Sequence, residues 1–211
     1  MENLRHYLEK IIPYRLYAIR VFRIALSFVD SYPDGGEYIC TVNGEVKLRG
    51  RSTAITNPTI EMGIIHSRVL LEFLGLKASD SSKLNDNFQF RSSDVHIEKY
   101  GLSRVTIKDA LKPCESNSSR AEQALAETIT AANKLVAHST NRIDMGPEAI
   151  ESYLIASQAI PVLYNLYFYQ KLGIEMPDIE VHKTQSTPNN WFRRIAKKLR
   201  FWVTLLRSAP R

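Results

Sequence analysis

The sequence has few of the residues that build covalent or metal-held sites. Its 211 residues include only two cysteines, Cys40 and Cys114, which are far apart and in no Cys-x-x-Cys arrangement. They predict no disulfide framework and indicate a reducing compartment. The five histidines have no metal-ligand spacing and no cysteine nearby, so no metal site is expected. The N-terminus lacks the compact apolar run of a secretory signal, which favours a cytoplasmic location.

The signatures of common enzyme classes are missing as well. The chain has no glycine-rich phosphate loop, no Gly-x-Ser-x-Gly and no paired-carboxylate arrangement. The sequence therefore predicts no cofactor and assigns no catalytic residue. On balance it favours a protein that is not an enzyme.

Acidic residues are absent from the C-terminal segment, which holds the excess of positive charge. From Lys183 to Arg211 there are eight Lys and Arg and no Asp or Glu. Removing those eight from the 28 basic residues of the chain leaves 20 against 22 acidic ones, a formal charge of −2. A basic charge confined to one segment indicates one anionic partner rather than general adhesion to anions.

Hydrophobic periodicity predicts a mainly α fold, a bundle of four to five helices with a small β-hairpin. The expected helices cover residues 4–29, 58–74, 119–138 and 147–172. Pro13 is expected to break or kink the first helix, and Asn57 with Pro58 to open the second as its cap and first position. Ser119 and Glu122 have the spacing of a capping box at the start of the third.

The domain organisation follows from these elements. Residues 1–173 are predicted to form the bundle domain, 174–190 a linker and 191–207 a separate helix. The stretch 152–170 is uncharged, but its Gln, Asn, Pro and Tyr residues are costly in hydrocarbon, so it is interpreted as a buried core helix. The stretch 14–29 is almost entirely apolar apart from Arg15, Arg20, Arg23 and Ser27, and it is too short and too often charged to span a bilayer, so it is interpreted as a central core helix.

The β-hairpin is predicted over residues 37–49, because Asn43 and Gly44 lie between two alternating runs. A two-residue turn pairs Val42 with Glu45, then Thr41 with Val46 and Ile39 with Leu48. One face of the hairpin then carries Ile39, Thr41, Val46 and Leu48, and this face is expected to pack on the helices. Residues 95–97 are expected to form one more short strand.

The segment 191–207 predicts a helix that is apolar on one side and basic on the other. Its membrane-binding or anion-binding residues are predicted to be Trp191, Arg193, Arg194, Lys197, Lys198, Arg200, Trp202 and Arg207. This pattern is typical of a helix that lies in an anionic membrane surface, where indole rings prefer the headgroup region. Three alternatives remain open: docking on the protein's own bundle, binding to nucleic acid, or insertion into a groove of a partner protein.

Residues 131–139 contain the one motif with chemical content. Asn133, Lys134, Ala137 and His138 lie on the third predicted helix, and Lys134 and His138 share a face opposite its apolar stripe. The string resembles the signature helix of the HEPN superfamily, small all-α bundles of bacterial toxins and phage-defence proteins. Ala132 stands where that family carries an arginine.

The resemblance implies a bacterial helical protein that binds RNA or a nucleotide through Asn133, Lys134 and His138 in a defence or toxin–antitoxin context. Active members cut RNA with an arginine and a histidine acting together, so Ala132 implies a protein deficient in nuclease activity. The resemblance also implies a homodimer. Two other interpretations stay open. Lys134 and His138 form only an exposed polar face or an interhelical hydrogen bond, or the chain is a non-enzymatic interaction protein attached to a membrane by residues 191–207.

A second histidine, His66, is expected to be structural. It lies on the same arc of its predicted helix as Met62, Val69 and Phe73, which indicates a partly buried side chain rather than a ligand.

Overall fold

The structure, a computed structural model, describes residues 2–113, 118–137 and 145–178. It has a mainly α fold with a small β-hairpin, as the sequence predicts. The helical elements are α1 (Glu2–His6), a π-helical turn (Tyr7–Ile11), α2 (Ile12–Ser31), α3 (Thr53–Leu74), a 3₁₀ turn (Ile97–Tyr100), α4 (Ile107–Leu111), α5 (Ser118–Ala137), α6 (Pro147–Tyr164), a second π-helical turn (Asn165–Tyr169) and α7 (Gln170–Leu172). The strands are β1 (Glu37–Val42), β2 (Glu45–Arg51), β3 (Lys77–Ala78) and β4 (Leu84–Asn85).

Pro13 was expected to break or kink the first helix, but the helix does not break there. It continues from α1 to α2 through a π-helical turn, in which the N–H of Ile12 donates to the carbonyl oxygen of Tyr7. Proline has no N–H and its ring needs room against the preceding turn. The wider π turn directly before Pro13 provides that room. A second π turn follows Pro161 in α6, and the helix then ends at Gly173 as predicted.

Helix α3 begins earlier than predicted. The expected start was Asn57 and Pro58, but the helix begins at Thr53 and Pro58 lies inside it. Proline leaves the carbonyl four residues earlier without its usual donor. Ala54 and Pro58 are both exposed, so water can satisfy that carbonyl. The predicted end is confirmed, because Gly75 caps α3 with φ of 99°.

Four long helices, α2, α3, α5 and α6, form the bundle. Helices α2 and α5 each pack on both α3 and α6. Their apolar stripes meet in one core, and large fully or nearly fully buried members are Ile12, Leu16, Ile19, Phe22, Leu26, Ile60, Ile64, Leu71, Leu74, Leu125, Ile129, Ile160, Leu163, Tyr164 and Phe168. Helices α2 and α3 are antiparallel, since Tyr7 stacks on Phe73 and Phe22 lies at Gly63.

The interpretation of residues 14–29 as a central core helix agrees with the burial of α2, whose Leu16, Ile19, Phe22 and Leu26 have no exposed surface. That burial is confined to one face, because Tyr14, Tyr17 and Ile24 on the other side are about half exposed. Helix α6 is a core helix as well, as predicted, and it buries Tyr153, Ile160, Leu163 and Tyr164.

The hairpin forms where predicted, but its register changes after two pairs. Val42 pairs with Glu45 and Thr41 with Val46, as expected; then Cys40 pairs with Leu48 and Ile39 with Arg49. Lys47 has no residue opposite it, which makes a β-bulge. Because directly opposite residues share a face, the bulge moves Leu48 from the face of Ile39 to the face of Cys40.

The predicted packing of the hairpin on the helices is also wrong. Ile39, Val46 and Leu48 are 49%, 57% and 55% exposed. The hairpin is tied to the bundle at its base instead, where the backbone N–H of Gly36 donates to Ser52 Oγ (2.9 Å) and the N–H of Ser52 donates to the oxygen of Gly36 (2.7 Å).

Two local expectations between α3 and α6 are corrected. The stretch 95–97 forms no strand; Ile97 is buried at the start of a 3₁₀ turn. Helix α5 starts within one residue of the predicted position, but Glu122 makes no capping box with Ser119. Its carboxylate accepts from the backbone N–H of Leu84 (3.2 Å) and from Lys83 Nζ (3.3 Å), so it fixes β4 against the helix.

The approach of α2 to α3 predicts the effect of a single added methyl group. A Cβ at position 63 would lie 2.2 Å from Phe22 Cγ. Gly63→Ala is therefore expected to lower the free energy of unfolding by about 3 kcal/mol, measured by urea denaturation. Gly36→Ala is the control, because a Cβ there meets nothing within 4 Å. Adding Phe22→Leu to Gly63→Ala should restore part of the lost stability, because the smaller side chain makes room for the added methyl group. If the stability losses of the two single variants simply add in the double variant, the contact is contradicted.

Candidate functional site

The predicted motif lies at the C-terminal end of α5. Asn133 and Lys134 are both exposed, while Ala132 just before them is fully buried. Leu125 and Ile129 are buried on the same stripe as Ala132, so the helix turns its polar residues away from the core. His138 lies outside the described residues, and its side chain is not placed.

Lys134 carries a charge that no other described residue neutralises. Within residues 2–113, 118–137 and 145–178, no carboxylate lies within 4.0 Å of its Nζ. By comparison, Lys83 and Lys112 each face an acid, Glu122 at 3.3 Å and Asp109 at 2.7 Å. An exposed ammonium group without a carboxylate is available to an external anion such as a phosphate.

Position 132, where the HEPN resemblance would place an arginine, is closed to a charged side chain. Ala132 has no exposed surface and lies in the hydrophobic core. An arginine there would have to bury its guanidinium without a partner, which is costly. The arginine–histidine pair of active HEPN proteins is thus not restored by one substitution at this position.

A second polar cluster joins α2 to α3 and was missed by the sequence analysis. Arg15 Nη1 donates to His66 Nδ1 at 2.9 Å. Tyr14 approaches the His66 ring edge-on, with centroids 5.4 Å apart. His66 is 5% exposed, so the expected structural role is in agreement with its burial. The sequence signal was Arg15 itself, a charge within an apolar run, but nothing in the sequence names a partner 51 residues away.

His66 is held neutral by its surroundings. Burial first, and then the positive charge of Arg15, lower its pKa to about 4. Only the neutral ring can accept a hydrogen bond at Nδ1 from a guanidinium. Arg15 has no carboxylate within 4.0 Å in the described part of the chain, and its Nε is buried without a partner. The half-buried guanidinium of Arg15 is therefore stabilised by the neutral imidazole of His66 and by no carboxylate of the described residues.

Aromatic residues hold the neighbouring end of the bundle together. Phe73 stacks on Tyr7 and Tyr164 and meets Phe168 edge-on. The hydroxyl of Tyr164 donates to the carbonyl oxygen of Leu70 (3.0 Å), and burial raises the pKa of Tyr164 well above its ordinary value. Burial also raises the pKa of Tyr7, so both tyrosines stay protonated at neutral pH.

The remaining predicted residues are not placed. The eight residues of the basic segment, from Trp191 to Arg207, lie outside the described part of the chain. Within that described part, no helix is both long enough and apolar enough to cross a membrane. The same residues contain no group of three or more His, Cys, Asp or Glu side chains arranged to hold a metal ion.

Comparison of the chain with models of protein families, with curated proteins and with solved structures finds no match. The HEPN resemblance therefore stays a prediction from four residues of α5 and the segment after it.

The depressed pKa of His66 predicts a loss of stability in acid. A histidine titrates near 6.5 when unfolded, so its neutral form stabilises the fold fully above pH 6.5 and progressively less as the pH falls towards 4. Protonation of His66 should therefore lower the free energy of unfolding by about 3 kcal/mol as the pH falls from 6.5 to 4. His66→Gln keeps an acceptor but does not titrate, so its stability should fall less over that range in urea melts.

Nuclear magnetic resonance of the imidazole gives the matching measurement. The His66 ring should titrate near pH 4, and Arg15→Gln should raise that pKa by removing the nearby charge. Arg68→Gln is the control, because Glu72 already pairs with Arg68 at 3.0 Å. A His66 pKa near 6.5 in the wild-type protein would contradict the hydrogen bond as described.

Proposed function

We propose that this protein binds RNA or a nucleotide through the C-terminal end of α5, without strong nuclease activity, in a defence or toxin–antitoxin context. The observation that carries the proposal is the exposed Lys134, which no carboxylate in the described part of the chain pairs with, beside Asn133 in the string that resembles the HEPN signature. The context comes from that resemblance alone.

The chemistry of these two side chains suits a phosphodiester. A lysine ammonium binds phosphate as a point charge, and an asparagine amide adds a neutral donor next to it. Because contacts to phosphate carry no sequence information, binding through this face should depend on salt and little on base identity. His138 belongs to the same motif and lies four residues after Lys134 in the sequence.

The proposed lack of cleavage follows from Ala132. A buried alanine leaves the site with a lysine in place of the planar guanidinium, and lysine cannot grip a phosphate with two parallel hydrogen bonds. The site is thus suited to hold a strand but lacks the pair that stabilises charge on a reacting phosphate.

The alternative function is attachment to an anionic membrane by residues 191–207. It rests on the two-sided pattern of that segment, with Trp191 and Trp202 opposite the basic residues. The same segment can bind RNA by charge alone, so the test must separate it from α5.

The test measures binding of a labelled single-stranded RNA to the full chain by fluorescence anisotropy. Lys134→Ala should weaken binding, and the slope of log K against log salt should fall in magnitude by about 1, since one phosphate contact is lost. His138→Ala should weaken it too. Lys171→Ala is the control, because Lys171 is also exposed but lies on α7.

The outcome against the proposal is equal binding by Lys134→Ala and the wild-type protein. If Trp191→Ala with Trp202→Ala abolishes binding to phosphatidylglycerol vesicles while RNA never binds, the membrane alternative is correct. Hydrolysis of the RNA at a rate that depends on His138 would refute the proposed lack of nuclease activity.

A further inference from the structure

The β1–β2 hairpin exposes more apolar surface than a two-stranded unit can stabilise. Ile39, Val42, Val46 and Leu48 are each about half exposed, and Cys40 is exposed as well. An isolated two-stranded hairpin is marginal in water, and three or more strands are needed for independent stability. The hairpin is therefore expected to gain strands from outside the described chain.

The two edges of this hairpin are protected to different degrees. Strand β2 has a bulge at Lys47 and carries Arg49 and Arg51, which are common devices against edge pairing. Strand β1 has no bulge, and its residues 38–42 (Tyr, Ile, Cys, Thr and Val) include no charge and no proline. Among the described residues no third strand pairs with β1, so its outer edge is open to another strand.

The turn determines which backbone groups face that edge. Val42 and Glu45 flank a two-residue turn, so they form the pair that exchanges hydrogen bonds. Backbone groups alternate along a strand, and those of Ile39 and Thr41 therefore point away from β2. Both residues offer an N–H and a C=O to a new partner.

We infer that β1 pairs antiparallel with β1 of a second copy of the protein, around a two-fold axis at Cys40. In this register Ile39 of each copy lies opposite Thr41 of the other and exchanges both hydrogen bonds with it. Cys40 lies opposite Cys40 of the second copy, and Tyr38 opposite Val42. The result is a four-stranded sheet in the order β2–β1–β1–β2.

The occupant is a second copy because the strand is complementary to itself. All five pairs between residues 38 and 42 bring uncharged residues together, and Glu37 falls opposite the turn, where it meets no other carboxylate. The charged, bulged β2 strands become the outer edges of the four-stranded sheet, which stops further addition. A two-fold contact of this kind closes at two copies.

The sheet formed in this way has one apolar face. The bulge places Leu48 beside Cys40, so Tyr38, Cys40, Val42 and Leu48 share a face in each copy, and Glu45 is the one charged residue on it, next to the turn. Pairing around Cys40 joins the two sets into one surface, while Arg49, Arg51 and Glu37 stay on the other face with Ile39 and Val46. Three or more strands with a common apolar face meet the requirement that the single hairpin does not.

Two matched proline variants test the inference in the full chain. Thr41→Pro removes an N–H that faces the open edge of β1. Because each copy contributes one Thr41, the dimer loses two hydrogen bonds. Val46→Pro is the control, because Val46 pairs with Thr41 but faces the protected edge of β2. Light scattering after size exclusion should show a dimer for the wild type and Val46→Pro. Thr41→Pro should raise the dimer dissociation constant about thirtyfold.

Cysteine crosslinking gives a second measurement that does not depend on a folded proline variant. In the Cys114→Ser protein, Cys40 residues opposite each other in a non-hydrogen-bonded pair have Cα atoms about 4.5 Å apart, within the range for a disulfide. Diamide should convert this protein to a crosslinked dimer, and Cys40→Ser should abolish the crosslink.

The inference is wrong if the wild type is a monomer at all concentrations, or if a dimer survives Thr41→Pro and gives no Cys40 crosslink. It is independent of the proposed function, because Lys134→Ala should leave the dimer unchanged and Thr41→Pro should not remove the positive charge of α5.

Discussion

The close approach of α2 to α3 at Phe22 and Gly63 is the constraint on which most of this structure depends. Because position 63 has no side chain, the Phe22 ring lies directly on the backbone of α3, at a distance that a methyl group would already violate. This spacing brings Arg15 of α2 within hydrogen-bond distance of His66 of α3. It also brings the ends of the two helices close enough for Gly36 and Ser52 to close the base of the hairpin.

The bundle presents two surfaces with separate chemistry. The end of α5 offers an exposed ammonium that no carboxylate of the described residues pairs with, beside an exposed amide and next to the fully buried Ala132. The hairpin offers an uncharged strand edge and apolar side chains. The first is suited to an anionic polymer and the second to another β-strand, so the two surfaces need not compete for one partner.

The sequence predicted those features that depend on local chemistry. Gly75 and Gly173 end their helices because the backbone adopts positive φ there, and Asn43 and Gly44 form the turn for the same reason. The burial of Ile60, Ile64 and Leu71 followed from helical periodicity. The exposure of Lys134 followed in the same way, although its role is still a proposal.

The failures involve interactions that no local rule contains. The bulge at Lys47 changed the hairpin register, and none of the described helices covers either hairpin face, so side chains on both faces are exposed. Pro13 and Pro58 each occur inside a continuous helix. A π turn accommodates Pro13, and solvent can satisfy the carbonyl that Pro58 leaves without a donor. The hydrogen bond between Arg15 and His66 joins residues that only the fold brings together, so a search for sequence motifs could not find it.

The proposed binding of a phosphate-bearing strand by α5 is tested most directly by amide nuclear magnetic resonance of the full chain titrated with single-stranded RNA. The largest shift changes are expected at Asn133 and Lys134 and should reach His138, with the core of α3 unaffected. Changes confined to residues 191–207, or no changes at saturating RNA, would contradict the proposal.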